Sequence, residues 1–331
     1  MFAPLDRVFS IIAGWIDQYA IIPMLYHFGW MQWADLSFDW MLICVYGVFA
    51  LLLTYAVCWP LEAWLPIEHW ESKRAVAVDV FYTVLARVGV LPIASFLVFY
   101  QVQVAVNGFL VAHGYIPPML ETMVPALMGH PIVTFVLYAL ILDCSDYWRH
   151  RLSHRFRGWY ALHALHHAQR QMSFWSDDRN HLLDDLVAGL WFGAVGLAIG
   201  IPPLQFPLLL MFLRFVESLS HANVRLSFGR IGDRILVSPR FHRMHHGVLA
   251  AGQRSCNYAA VFPIWDILFG TADFSNAYPA TGDDDAPEAM ASGGYLAQQW
   301  GGVVHFWNEV RVGRRREATP AAAHVPDGKQ A

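Results

Sequence analysis

Long uncharged stretches separated by short charged ones dominate the chain, and their lengths predict its elements. A membrane-crossing helix needs about 20 mostly apolar residues, and four stretches reach that length. Residues 40–61 run without charge between Asp39 and Glu62. Residues 88–120 are also free of charge, although Pro92, Gln101, Gln103 and Asn107 interrupt them, and a helix over 75–100 is expected there. The third stretch is 122–142 and the fourth 186–213. Gly200-Ile201-Pro202-Pro203 breaks the fourth, so two short helices, 183–200 and 203–219, are expected as a hairpin within the membrane. The first 39 residues mix apolar and acidic positions and read as interfacial, with one more span as the alternative.

Composition agrees with a membrane setting. Of 331 residues 56% are hydrophobic and only 15% charged, where soluble domains carry about 25% charge; mean hydropathy is +0.36. A net charge of −4 offers nucleic acid no basic surface. The four cysteines, Cys44, Cys58, Cys144 and Cys256, form no CxxC pair, so neither a disulfide framework nor a thiolate metal site is expected. The N-terminal residues lack the basic-then-apolar pattern of a signal peptide. Basic residues are lopsided: four against eleven acids through Trp148, then eighteen against fifteen. The positive-inside rule therefore places 149–182 and 220–256 in the cytoplasm. The fold expected is all-α, a multi-pass membrane helix bundle with a cytoplasm-facing helical cap. Its divisions are 1–121 (interfacial segment and first spans), 122–275 (a histidine-rich domain) and 276–331 (an acidic loop and a basic tail). Both 276–294, with Asp283-Asp284-Asp285, and 313–331, with Arg314-Arg315-Arg316, read as unpacked.

Ten of the sixteen histidines fall between His150 and His246. His150 and His154 form HxxxH; His163, His166 and His167 form HxxHH; His242, His245 and His246 form HxxHH again. His181 and His221 stand singly between them. On a helix, residues three and four apart share a face, so each cluster aims imidazoles at one point. Eight to ten imidazoles exceed one tetrahedral zinc site and suit two metals; imidazole alone does not choose among Fe, Zn, Cu and Ni. The remaining histidines, His27, His69, His113, His130, His305 and His324, read as polar rim residues. Asp143 and Asp146 lie on one helical stripe with His150 and His154, where a carboxylate can orient a metal-bound imidazole. Asp177, Asp178, Asp184 or Asp185 can do the same near His181, and Glu217 near His221. Neutralising nearby arginines is the competing role for such acids. Phe174, Trp175, Trp191, Phe192, Phe212 and Phe215 are candidate liners of a lipid-facing groove between 122–142 and 183–219.

Further motifs accompany the clusters: Asp146-Tyr147-Trp148-Arg149-His150, Arg179 with His181, His221-Ala222-Asn223-Val224, Ser238-Pro239-Arg240-Phe241-His242, Asn257-Tyr258 and Trp265-Asp266-Ile267-Leu268-Phe269-Gly270-Thr271. Together, over about 130–271, they resemble the fatty acid hydroxylase/sterol desaturase superfamily of histidine-rich diiron membrane oxygenases. Two positions depart from that pattern: Leu182 stands where proline is frequent and Ala259 where glycine is usual. The resemblance implies two Fe2+ ions on the histidines, O2 as co-substrate, and a lipid substrate that becomes an alcohol or an alkene. Zinc is expected as a substitute during purification. A fused haem-binding carrier domain is not expected, so electrons are expected from a separate electron-transfer protein. The competing reading is a histidine-rich metal-binding protein such as a transporter, although transporters hold ligands at the bilayer midplane. A zinc hydrolase lacks its HExxH, and a bis-histidine haem protein would need paired histidines on facing spans.

Overall fold

The computed structural model describes residues 3–200, 206–248 and 255–317, and every regular element among them is a helix. Helix α1 (Ala3–Ile16) runs through a π turn, Asp17–Ile21, into α2 (Ile22–His27). Asp6–His27 is long and apolar enough to cross a membrane, as the alternative expectation for the N-terminus requires. The run at 40–61 lies within α3 (Ala34–Trp64). The single helix expected over 75–100 is instead two, α4 (Lys73–Arg87) and α5 (Val90–Ala112). Gly89 separates them at φ +99°, and a Cβ there would lie 2.4 Å from Cys44 Sγ. A left-handed residue in so tight a place has to be glycine.

After α6 (Leu120–Met123) comes α7 (Pro131–Arg155), with proline in its first turn where a missing N–H costs nothing. Asp6–His27, Met31–Trp64 and Pro131–Arg155 are the three candidate spans among the described residues; Leu97–Ala112 is apolar but shorter. Next come α8 (Arg157–His167), α9 (Leu182–Ala198) and α10 (Phe206–His221). The last two are the helices expected as a hairpin, and residues 201–205 of the Gly-Ile-Pro-Pro breaker lie outside the described residues. Short helices α11 (Gly229–Gly232), α12 (Pro239–His245) and α13 (Ile264–Phe269) follow, then α14 (Glu288–Ser292) and α15 (Tyr295–Glu317).

The segment 276–294 is not the unpacked stretch its composition suggested. Met290 is fully buried in a cluster with Tyr82, Ala164 and Leu165. Arg179, also fully buried, donates to the Met290 and Ala291 carbonyls, to Leu165 O at 3.2 Å and to Asp79 at 2.8 Å, tying α4, α8 and α14 together. A buried guanidinium with all these acceptors fixes backbone that hydropathy alone would leave loose. The helical backbone of α15 continues through 314–316, while 318–331 lie outside the described residues.

The N-terminal helices are also tied to the later chain. Glu62 of α3 accepts the Phe174 and Asn223 amides at 2.9 and 2.8 Å, and Asn223 in turn accepts the Ile67 and Glu68 amides.

Candidate metal centre

Four helices deliver the histidines. His150 and His154 sit near the C-terminal end of α7; from Pro131 to His150 the helix rises about 28 Å, close to one hydrocarbon thickness. Helix α8 supplies His163, His166 and His167, α10 ends on His221, and α12 supplies His242 and His245, with His246 capping its C-terminal end. The Ser-Pro motif starts α12: Ser238 Oγ accepts the Phe241 amide at 3.3 Å and Pro239 takes the first helical position.

Nine of the ten predicted histidines converge into two groups, one of five (His150, His154, His163, His167, His245) and one of four (His166, His221, His242, His246). Each HxxHH divides between them. In α8 the i and i+4 members join the first group and i+3 the second; in α12 the assignment is reversed. Within each group one ligand atom per residue lies within 4.8 Å of every other, while two nitrogens on opposite sides of one ion span about 4.2 Å.

Hydrogen bonding fixes which nitrogens face inward. His150 Nδ1 donates to the Tyr258 carbonyl at 2.8 Å and His245 Nδ1 to the Cys256 carbonyl at 2.7 Å. His163 Nδ1 donates to Asp184 at 2.9 Å, and Trp159 Nε1 donates to the other oxygen of that carboxylate at 2.7 Å. A carbonyl can only accept, so His150 and His245 carry their proton on Nδ1 and present a lone pair at Nε2. All five Nε2 atoms of the first group are buried without a hydrogen-bond partner. In the second group His221 Nδ1 donates to the Glu217 carbonyl at 2.8 Å. The Nε2 atoms of His166 and His242 lie 3.2 and 3.1 Å from that of His221, and His246 Nε2 lies 3.1 Å from that of His242. Buried polar atoms are nearly always satisfied, so the five unpaired Nε2 atoms of the first group and the close approach of four Nε2 atoms in the second fit a pair of metal ions.

Burial, followed by neighbouring imidazoles, holds His166, His167, His242 and His246 well below the usual histidine range. Burial pushes His245 down to about 3. These histidines therefore stay neutral, as metal coordination requires.

His181 is not brought to either group. Its Nδ1 accepts the Leu183 amide at 3.1 Å, capping α9, and its Nε2 donates to the Gln299 carbonyl at 2.8 Å, which leaves no free lone pair. Leu182, where the resemblance favours proline, uses its amide to bond Gln299 Oε1 at 2.9 Å, a contact proline would forbid. Asp143 and Asp146 do not touch imidazoles. Asp143 accepts the Val261 and Phe262 amides at 2.9 and 2.8 Å, and Asp146 pairs with Arg149 at 2.6 Å. The carboxylate that does hold one of the converging imidazoles is Asp184, and its partner is His163 rather than His181. Asp177 lies 3.7 Å from His221 Nδ1 and is held by Arg87. Of the other histidines, His27, His69, His113 and His130 are exposed, His305 is half-buried, and His324 lies outside the described residues.

Residues 135–271, which contain both groups, match the family model for fatty acid hydroxylase. They form a fatty acid hydroxylase domain. The chain is 29% identical over 261 residues to the ornithine lipid hydroxylase of Rhizobium tropici, covering 75% of this chain and 72% of that protein. It is 31% identical over 138 residues to human alkylglycerol monooxygenase, covering 41% of this chain but 29% of that one. Methylsterol monooxygenase 1-3 of Arabidopsis thaliana is 28% identical over 153 residues, 44% of this chain and 50% of that protein. No solved structure matches the chain.

The hydroxylase domain's remaining motifs place carbonyls rather than ligands. Asn257 adopts φ +56°, a left-handed conformation that asparagine tolerates. Its side chain donates to the Phe241 and Asp273 carbonyls and accepts the Asp273 amide. Asp266 accepts the Tyr258 and Ala259 amides at 2.8 and 2.9 Å and the Thr271 hydroxyl at 2.6 Å. Between them they set the Cys256 and Tyr258 carbonyls against His245 and His150.

Two cavities flank α7 in the hydroxylase domain. A polar cleft of about 880 Å³ reaches His154, His167 and His245. An apolar groove of about 710 Å³ runs along α7 from Leu137 to Leu152, with Trp191 and Trp265 on its walls. Of the expected groove liners only Trp191 lines it. Phe174 is buried against Cys58 and Val224 with Trp175 beside it; Phe212 packs on Phe135 and Phe262, and Phe215 packs against Val261.

Proposed function

We propose that this chain is a membrane-bound oxygenase that hydroxylates a C–H bond of a membrane lipid, drawing electrons from a separate carrier protein. The observation that carries the reading is the convergence of nine imidazoles, eight of them buried, into two adjoining groups, and the relatives' names, hydroxylase and monooxygenase in each case, favour an alcohol over an alkene. The overall reaction is R–H + O2 + 2 electrons + 2 H+ giving R–OH + H2O. Two iron ions, held by His150, His154, His163, His167 and His245 and by His166, His221, His242 and His246, would supply the O2 chemistry when bound. The protein's own work is positional. Asp184 and the Tyr258, Cys256 and Glu217 carbonyls fix the tautomers and ring planes of four ligands. Burial of eight of the nine imidazoles limits the access of bulk water to a strongly oxidising site. The apolar groove beside α7 gives a lipid chain a path along the helix that ends in His150 and His154. The basic excess after Trp148 supports a cytoplasmic position for the histidine cap.

Elemental analysis of detergent-purified protein, reconstituted anaerobically with iron, tests the reading. About two irons per chain are expected, lost in His150→Ala and His245→Ala and kept in His305→Ala. Absence of iron, or a single tightly held zinc, would turn the reading toward metal transport or a structural role. Retention of metal in His245→Ala would overturn the ligand assignment.

A further inference from the structure

Helix α15 turns one face into the protein and one away from it. On the inner face Gln298 and Gln299 are buried, and Gln299 Nε2 donates to the Tyr82 hydroxyl at 3.1 Å and to the Asn180 carbonyl at 3.0 Å. A Cβ on Gly302 would lie 2.4 Å from His181 Cδ2, so the helix sits close against the start of α9. Farther along, Glu309 pairs with Arg157 of α8 at 3.2 Å. The outer face is different. Leu296 (80% exposed), Trp300 (69%), Val303, Val304 and Trp307 (56%) succeed one another at the spacing of a single helical stripe. Residues 289–308 contain no Asp, Glu, Lys or Arg, so no charge interrupts that stripe. Charge returns only at its end, where Arg311 is exposed with its guanidinium 5.6 Å from the centre of the Trp307 ring. Arg314-Arg315-Arg316 continue the same helical backbone.

The stripe adjoins other exposed apolar surface. The Tyr295 ring lies 5.2 Å from that of Phe81 on α4, and Phe81 is itself exposed. Leu182, whose amide bonds Gln299, and Leu183 are exposed where α9 enters its apolar run. Helix α15 is nevertheless not among the candidate spans, and its inner glutamines keep their polar contacts within the protein. An apolar face of this length marks an interaction site. Tryptophan in the stripe, a polar opposite face and arginine at the end are the composition of a helix that lies in the plane of a bilayer instead of crossing it. Continuity with the start of α9 favours lipid over a protein partner, and the exposed arginine favours an anionic headgroup.

We propose that α15 docks in the headgroup layer of the leaflet beside the histidine cap, its stripe among the upper acyl carbons and Arg311 on the phosphate of an anionic phospholipid. Because α15 packs along α8, which carries His163, His166 and His167, the docked helix holds the cap at a fixed height on the bilayer. The proposal rests on the membrane-bound reading of the chain and is independent of its oxygen chemistry. The full chain is placed in nanodiscs of phosphatidylcholine brominated either near the headgroup or near the acyl-chain end. The emission lost in Trp300→Phe/Trp307→Phe isolates these two rings from the other tryptophans. Shallow bromine should quench that share about twofold more than deep bromine, and aqueous acrylamide should leave it nearly untouched. In non-ionic micelles, brominated phosphatidylglycerol should half-quench it at a lower concentration than brominated phosphatidylcholine. That preference should fall about fivefold in Arg311→Gln, the scale of one arginine at an anionic surface, and should shrink as salt is added. Ready quenching by acrylamide in discs, stronger quenching by the deep bromine, or an equal response to the two lipids would each overturn the proposal. Rings that stay open to acrylamide until a soluble ferredoxin is added would overturn it too and reassign the stripe to a protein partner. The parent readings fail separately. A chain outside the membrane would leave every tryptophan unquenched by lipid, Trp59 of α3 included, whereas a chain without oxygenase activity would leave the quenching pattern intact.

Discussion

At the scale of the residue, the informative distinction is between a histidine with a spare lone pair and one without. His150 and His181 are both buried and both hydrogen-bonded, yet only His150 keeps Nε2 free, because its single bond goes from Nδ1 to a carbonyl. His181→Ala should therefore leave metal content unchanged and lower only thermal stability, through loss of the α9 cap. Asp184→Asn should release metal under a chelator challenge about 10–100-fold more readily, the usual effect of removing an orienting carboxylate. Metal release as slow as in the parent protein would refute that role. The pH dependence follows from the depressed values. His245 falls to about 3 and His166, His167, His242 and His246 lie well below 6.5 in the folded chain, whereas the unfolded chain titrates near 6.5. Below about pH 6.5 the unfolded state takes up protons that the folded state refuses, so this stability is present above 6.5 and is lost as pH falls toward the folded values. Metal-free protein should accordingly melt lower at pH 5.5 than at pH 7.5, and His245→Gln should show a shallower slope.

At the scale of the element, the histidine helices are short and are held by what surrounds them. Helix α12 spans only Pro239–His245, too short to be stable alone. Its position depends on the Ser238 cap and on Asn257, which bonds the Phe241 carbonyl and sits in a left-handed conformation. Asn257→Ala removes three side-chain bonds and leaves a residue that strains at positive φ. The expected loss is about 2–3 kcal/mol, seen as a lower melting temperature together with weaker metal retention. Asn257→Gly relieves the strain but not the missing bonds, so it should fall between the two; behaviour equal to alanine would mean the conformation carries none of the effect. Helix α7 is different, since its apolar length is legible from the sequence and its last turns add His150 and His154. The break between α4 and α5 was not placed from the sequence, because a single glycine in an apolar stretch does not reveal that its Cβ would strike Cys44 from another helix.

At the scale of the whole molecule, the two histidine groups join α7, α8, α10 and α12, and metal bound to them cross-links elements far apart in sequence. Chelation should lower the melting temperature, with about 4 kcal/mol lost if metal is normally present at a thousand times its dissociation constant. An unchanged melting curve after complete metal removal would mean the ligands are held in place without it. The acidic segment 283–285 and helices α14 and α15 belong to the same assembly, fastened through Arg179, Tyr160 and Gln299.

The sequence by itself determined that the chain is a helical membrane protein, because hydropathy over 20 residues reports burial in lipid regardless of tertiary contacts. It also located the eight clustered histidines, because helical spacing places i, i+3 and i+4 on one side of a helix, whereas His221 and His181 stood on the same footing until the tertiary structure brought in the first and not the second. Only the tertiary structure divided each HxxHH between two groups, since that depends on how α8 and α12 face each other. It alone gave Asp184 to His163, turned Asp143 and Asp266 into holders of backbone amides, left His181 without a lone pair and folded the acidic run onto the cleft. Each of these depends on contacts between residues distant in the chain, and such contacts leave no periodic trace along it.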